Sequence, residues 1–232
     1  MNTYMAMWDK LVKKYSDEYG PYFESYNKEK GVLKVTLLGR AGEGVWLAGE
    51  LLAAAAIEKG KYSKVIFAMP GERRNSPTRS FLRIADKPIR FPASWIYSAD
   101  DVLILEEDLL TFSSPVLDFE VATLTRRMNP NGYCVVNSPK EPGELGGDIA
   151  GKPVTVDGSR ISVEYLGSPF FMNMALIGAY LAVRKTVLIQ DIEAAIRSFI
   201  NPRGHRIFQG EKGEMNIKAL RAGYESAQFQ GG

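Results

Sequence analysis

The residues with the clearest chemical purpose in this chain are Gly39-Arg40-Ala41-Gly42-Glu43-Gly44, three glycines and a cation within six positions. Glycines at that spacing permit a tight turn and let a ligand or partner approach the backbone closely. A β-branched, strand-like run, Val32 to Leu38, leads into the loop, and strong helix formers from Trp46 through Ala56 lead out of it. A helix that starts there offers unpaired N–H groups and the positive end of its dipole, so the chemistry it favours is anion binding. A second cluster, Met69-Pro70-Gly71-Glu72-Arg73-Arg74-Asn75-Ser76-Pro77-Thr78-Arg79, is a turn loaded with three arginines. A third, Glu106-Glu107-Asp108, ends an apolar run. It reads either as a metal site or as a solvated loop or helix start.

The inventory rules out much else. The chain has one Cys, Cys134, and one His, His205. One thiol cannot hold an iron–sulfur cluster on cysteines, close an internal disulfide or build the usual Cys/His zinc cage. One His and one Cys give little ground for a nucleophilic triad, and no Ser sits in a G-x-S-x-G setting. His205 lies in the polar stretch Asn201 to Arg206 and reads as a solvated or hydrogen-bonded side chain. The glycine order is G-x-x-G-x-G, not the G-x-G-x-x-G of a dinucleotide site, and the second strand ends in Ala68-Met69 with no carboxylate for a ribose. Arg73 and Arg74 could instead meet a 2′-phosphate, which leaves an NADP-linked reductase and a nucleotide-sensing binding module as alternatives. No P-loop pattern is present. By inventory, this polypeptide is one part of a larger machine rather than a self-contained redox enzyme.

The positioning elements follow from the hydrophobic pattern. With 232 residues, 45% of them hydrophobic, the chain can bury a full α/β core. A net charge of +2 gives no push towards nucleic acid or membrane, no run approaches a membrane span, and a cytoplasmic location is expected. Further strands are expected at Lys64–Ala68, Ser80–Ile84, Asp101–Leu105 and Tyr133–Asn137, the last placing Cys134 in inert core. Helices are expected over 117–128, 171–185, 191–200 (with Gln190 as cap) and 216–227. Two more apolar runs, 154–156 and 161–165, flank Asp157-Gly158. Strands alternating with helices predict a Rossmann-like α/β fold, an open, mostly parallel sheet with helices on both faces. Residues 1–30 form an aromatic-rich arm ahead of the domain at 31–232. The arm folds back on its own domain or packs on a partner, Tyr and Trp being enriched at interfaces.

The segment Gly39-Arg40-Ala41-Gly42-Glu43-Gly44-Val45, followed by Ala48-Gly49-Glu50-Leu51-Leu52, resembles the start of the gamma subunit of 2-oxoacid:acceptor oxidoreductases. This is the group of pyruvate:ferredoxin and 2-oxoisovalerate:ferredoxin oxidoreductases. The turn Gly71 to Arg79 is similar to that family's proline-bounded paired-arginine signature. Asn173-Met174-x-x-Ile177-Gly178-Ala179 and Asn216-x-x-Ala219-x-Arg221-x-Gly223-Tyr224-Glu225 also match, so the resemblance covers about residues 32–226. It implies an oxidative decarboxylase of several polypeptides, with alpha, beta and delta-type partners and ferredoxin as electron acceptor. Thiamine diphosphate, Mg2+ and [4Fe–4S] clusters would sit on those other subunits, and the gamma subunit would shape and cover the active-site and coenzyme A (CoA) cleft. Carried onto this chain, Gly39, Arg40, Gly42, Glu43 and Gly44 would face CoA phosphates or the cleft. Arg73, Arg74, Asn75 and Ser76 would lie beside them, at the ends of adjacent parallel strands; the alternative is that those arginines pair with neighbouring subunits. The family usually has Gln in place of Glu43 and Gly in place of Asn75. A carboxylate at position 43 would repel a docked diphosphate, which suggests a member that binds CoA differently or not at all, as in an oxalate-type relative.

Overall fold

The computed structural model describes residues 31–68, 76–89, 95–96, 98–111, 121–199, 208 and 210–229. The arm at 1–30, the arginines at 73 and 74, Asn75 and His205 lie outside the described residues.

Among the described residues, seven strands form one sheet in the order β2-β3-β1-β4-β5-β6-β7. They are β1 Val32–Arg40, β2 Tyr62–Ala68, β3 Pro77–Ala85, β4 Asp101–Ile104, β5 Tyr133–Asn137, β6 Lys152–Val156 and β7 Gln228–Phe229. The pairs β1–β4, β4–β5 and β5–β6 are parallel, whereas β3 runs antiparallel to both β1 and β2, and β7 antiparallel to β6. Most strands therefore point one way, as the alternating pattern predicts. The exceptions are the two-residue β7 and β3, which the sequence shows as a strand without showing its direction. The link from Ala68 to Pro77 is too short for the dozen-residue crossover that a parallel return needs. The chain therefore turns straight back and inserts β3 between β2 and β1.

Among the described residues, six helices accompany the sheet: α1 Val45–Glu58, α2 Val121–Arg127, α3 Gly158–Leu166, α4 Asn173–Val183, α5 Ile189–Ser198 and α6 Glu211–Glu225. Alternation along the strands splits the core into two layers. Val35 and Leu37 of β1, Leu103 of β4 and Val135 of β5 face the larger one, with α1 and α4. Leu38, Val102, Ile104, Cys134 and Val136 face the smaller one, with Leu109, Leu124 of α2 and Met128. Cys134 is fully buried, and burial pushes its thiol up to about 12.

Local chemistry decides the helix ends. The second run after Asp157 is a helix, because the Asp157 side chain caps it by accepting the Arg160 N–H at 3.0 Å. At α5 the capping carboxylate belongs to Asp191, which accepts the Leu188 N–H at 2.7 Å, rather than to Gln190. α6 begins at Glu211, five residues before the expected 216. Its polar first turn, Glu211 to Glu214, hides the start from an apolar pattern. Among the described residues, no single helix is long and apolar enough to cross a membrane.

Candidate functional site

β1 is the point from which the chain departs to both sides of the sheet: β2 and β3 lie on one side, β4 to β6 on the other. Ligands of open α/β sheets bind outside the carboxyl ends of the strands at such a point. The glycine loop emerges there. Gly44, at φ 77, is the N-cap of α1, and α1 has no side-chain cap. Its first-turn N–H groups are left for a ligand or water. A side chain on Gly44 is impossible without displacement: a Cβ would stand 2.5 Å from the Asn173 amide nitrogen. That amide donates to the Gly44 carbonyl at 3.4 Å, so the start of α4 props the loop from beneath.

A cavity of about 740 Å³ opens beside the loop. Arg40, Ala41, Gly42 and Gly44 supply its loop wall, and Trp46 and Leu47 the first turn of α1. Phe67 of β2 and Thr78 of β3 close one side; Leu166, Phe170 and Phe171 close another. Lys212, Met215 and Asn216 of α6 complete it, with Phe208. Phe170 and Phe171 are 60% and 49% exposed, so this wall presents aromatic rings to whatever enters. Trp46 and Phe208 are braced from behind by edge contacts with Phe199, each with ring centroids 6.2 Å apart. The cavity thus combines loop N–H groups, a lysine and flat apolar walls, which suits an anionic ligand with an apolar or aromatic body.

The expected site residues divide into three groups. Arg40, Gly42 and Gly44 line the cavity. Gly39 and Glu43 do not. Gly39 lies within β1, its Cα direction blocked by Val45 and Glu43, and Glu43 is 3% exposed with Oε2 accepting the Arg40 N–H at 2.6 Å. Its carboxyl therefore presents no charge to the cavity, which removes the ground for expecting repulsion of a diphosphate. Ser76 does not line the cavity either, but its carbonyl accepts the Ala41 N–H at 2.8 Å. The described end of the arginine turn, from Ser76 on, meets the glycine loop for a different reason from the one expected, while Arg73, Arg74 and Asn75 lie outside the described residues. β1 and β2 are not neighbours; the antiparallel register pairs Arg40 with Pro77 and Ala68 with Arg79, which brings both ends of that turn to the loop's edge. The same intervening strand removes the adjacent parallel β2 that a dinucleotide site requires.

Glu106 approaches Glu43, and Asp108 forms an ion pair with Arg40. Glu107 pairs with Lys140 at 2.5 Å and accepts from Ser138 Oγ at 2.6 Å, which together hold its carboxyl below the usual range. Among the described residues, no group of three His, Cys, Asp or Glu side chains is placed to hold a metal. The acidic run is a short 3-10 turn, Glu107–Leu110, with its carboxylates committed to neighbours. Lys212, Phe170 and Phe171 were missed as site residues, because only the tertiary fold brings them to the loop.

Residues 34–226 match the family of pyruvate ferredoxin/flavodoxin oxidoreductases. The chain is 33% identical over 201 residues to the pyruvate/ketoisovalerate oxidoreductases common subunit gamma of Pyrococcus abyssi, covering 85% of this chain and 98% of that one. It is 32% identical over 197 residues to pyruvate synthase subunit PorC of Methanothermobacter thermautotrophicus, covering 85% and 97%. The crystal structure of pyruvate oxidoreductase subunit PORC from Thermotoga maritima superposes with a TM-score of 0.69 at 28% identity, covering 86% of this chain and 98% of that one. With the family model matched over residues 34–226 and relatives covered almost end to end, this chain belongs to the pyruvate ferredoxin/flavodoxin oxidoreductase family as a gamma-type subunit.

Proposed function

We propose that this chain works within a multi-subunit, ferredoxin-linked complex that decarboxylates a 2-oxoacid, and that its cavity holds CoA against the active site. The carrying observation is the cavity itself: uncapped helix N–H groups and Lys212 at one place, aromatic walls at another. That donor set fits CoA. Arg40, Lys212 and the N–H groups of Gly42, Gly44, Val45 and Trp46 would hold phosphate, and Phe170, Phe171 and Trp46 would cover its apolar portions. CoA, when bound, supplies the thiol that accepts the acyl group. This chain's residues bind it, orient it and exclude water around it.

Iron–sulfur clusters do not fit this chain. Its single thiol, Cys134, is buried within β5, so electron transfer would belong to the partner subunits. Thiamine diphosphate and Mg2+ are assigned to those subunits as well. A CoA-independent, oxalate-type role loses its main support, since Glu43 does not line the cavity.

The test is calorimetric titration of CoA into the assembled complex. Wild-type complex should bind at micromolar concentration, and Lys212→Ala should bind roughly tenfold more weakly, about 1.4 kcal/mol. Absence of CoA binding to the wild-type complex would overturn the assignment.

A further inference from the structure

Asn173, the first residue of α4, lines the cavity and is 3% exposed. Its amide does not cap its own helix: the N-cap of α4 is Met172, with no side-chain cap bond. Among the described residues, the side chain makes one hydrogen bond, from Nδ2 to the Gly44 carbonyl at 3.4 Å. That bond is long, and the carbonyl already accepts the Ala48 N–H at 2.9 Å. A carbonyl oxygen can only accept, so the nitrogen end of the amide is the end that faces Gly44. One N–H and the carbonyl oxygen Oδ1 remain for the cavity. A buried amide is costly unless its groups are paired, and the Gly44 carbonyl has no need of this one.

We propose that Asn173 is a specificity-determining residue that reads the pantetheine arm of CoA, its Oδ1 accepting the N–H of an arm amide. This role rests on CoA as the occupant of the cavity. Chemistry selects the arm among the parts of that molecule. Ionised phosphate has no proton to offer a carbonyl oxygen and is repelled by it. Its place is on the uncapped N–H groups of α1 and on Lys212. The flat purine suits the exposed rings of Phe170 and Phe171. The arm carries secondary amides, each a donor and an acceptor. A primary carboxamide can meet such a group with both of its ends, Oδ1 accepting and the second Nδ2–H donating.

Placement agrees with the chemistry. The Asn173 amide lies against Gly44 so closely that a Cβ there would stand 2.5 Å from Nδ2, and Phe171 of the aromatic wall is two positions before it in the chain. Asn173 therefore stands where the phosphate loop and the aromatic wall meet, and an arm leaving phosphates held on the loop passes it. Its neighbours Met172 and Met174 are buried, which leaves the amide little freedom to turn away.

Calorimetric titration of the assembled complex with CoA and with adenosine 3′,5′-bisphosphate, a nucleotide that lacks the arm, tests this. Asn173→Ala should weaken CoA about tenfold and leave the nucleotide within about twofold, because only CoA loses a hydrogen bond and keeps an unpaired N–H. Equal losses for the two probes, or no loss for CoA, overturn the role, since a residue that merely props the loop would affect both alike. Should the variant fail to fold, the wild-type complex decides with CoA analogues in which a methylene replaces one or the other amide N–H. A loss of about tenfold at one amide supports the contact, and unchanged affinity at both overturns it. Wild-type complex that binds no CoA sinks the reading of the cavity itself, whereas CoA binding that Asn173→Ala leaves intact sinks only the role of Asn173.

Discussion

Asp101 is wholly buried at the amino end of β4, away from the cavity, and is surrounded by donors. Arg184 donates to both its oxygens at 2.7 and 2.6 Å, Tyr180 Oη at 2.9 Å, and the Tyr133 N–H at 2.8 Å. Those bonds to Asp101 raise the Arg184 guanidinium above its usual value, and burial followed by the Asp101 charge raises the Tyr180 hydroxyl. Asp101→Ala should cost about 3–5 kcal/mol in urea unfolding, because it strips a buried arginine contact and a buried hydroxyl of their partner. Tyr180→Phe should cost only about 1 kcal/mol. In the sequence Asp101 is merely the first residue of an apolar strand; Arg184 lies 83 positions away, so nothing local announces the pair. Cys134 is the opposite case, legible from its place in a five-residue apolar strand. Its buried thiol should resist thiol–disulfide exchange with an aromatic disulfide reagent at pH 8 in the native chain and react at once in denaturant, releasing the coloured aromatic thiolate.

Among the elements, the contact between α4 and α6 does the most for the site, because the first carries Asn173 and the second Lys212. Two glycines let these helices touch. A Cβ on Gly178 would come within 2.0 Å of the Leu220 carbonyl, and one on Gly223 within 2.1 Å of the Ala175 carbonyl. These are backbone atoms that cannot swing aside. Gly178→Ala or Gly223→Ala should therefore destabilise the chain by about 1–3 kcal/mol or more by forcing the helices apart. Either change should also weaken CoA binding to the complex, since it shifts Lys212 from Asn173. Calorimetry and titration together check this. Both glycines were visible as parts of matching motifs, but their facing each other was not. α4 is apolar all round, as expected of a helix enclosed by sheet and neighbours, so its burial was legible while its partner was not.

At the scale of the whole molecule, the sheet turns a list of motifs into a site. The return of β3 beside β1 carries Ser76 and Pro77 to the glycine loop, and the helices beyond β6 come back over the same edge to close the cavity. Because this chain offers one buried thiol and no metal cluster among its described residues, its contribution to redox chemistry is proposed to be shape and binding. The isolated chain should then be colourless and fail to reduce ferredoxin or a viologen dye with any 2-oxoacid. Adding it to the remaining subunits should restore CoA-dependent turnover. Visible absorbance and dye reduction measure both outcomes.

The order of residues alone determined the α/β class, the glycine loop at the head of α1, the buried strands β4 and β5, and the lack of thiols for clusters. Each of these depends on neighbours within a few positions or on a simple count. The tertiary structure alone decided that β3 is antiparallel, that Glu43 turns inward, and that α6 supplies the cavity's lysine. Those features arise where segments far apart in sequence compete for the same sheet edge and the same buried volume, and a local pattern carries no record of that competition.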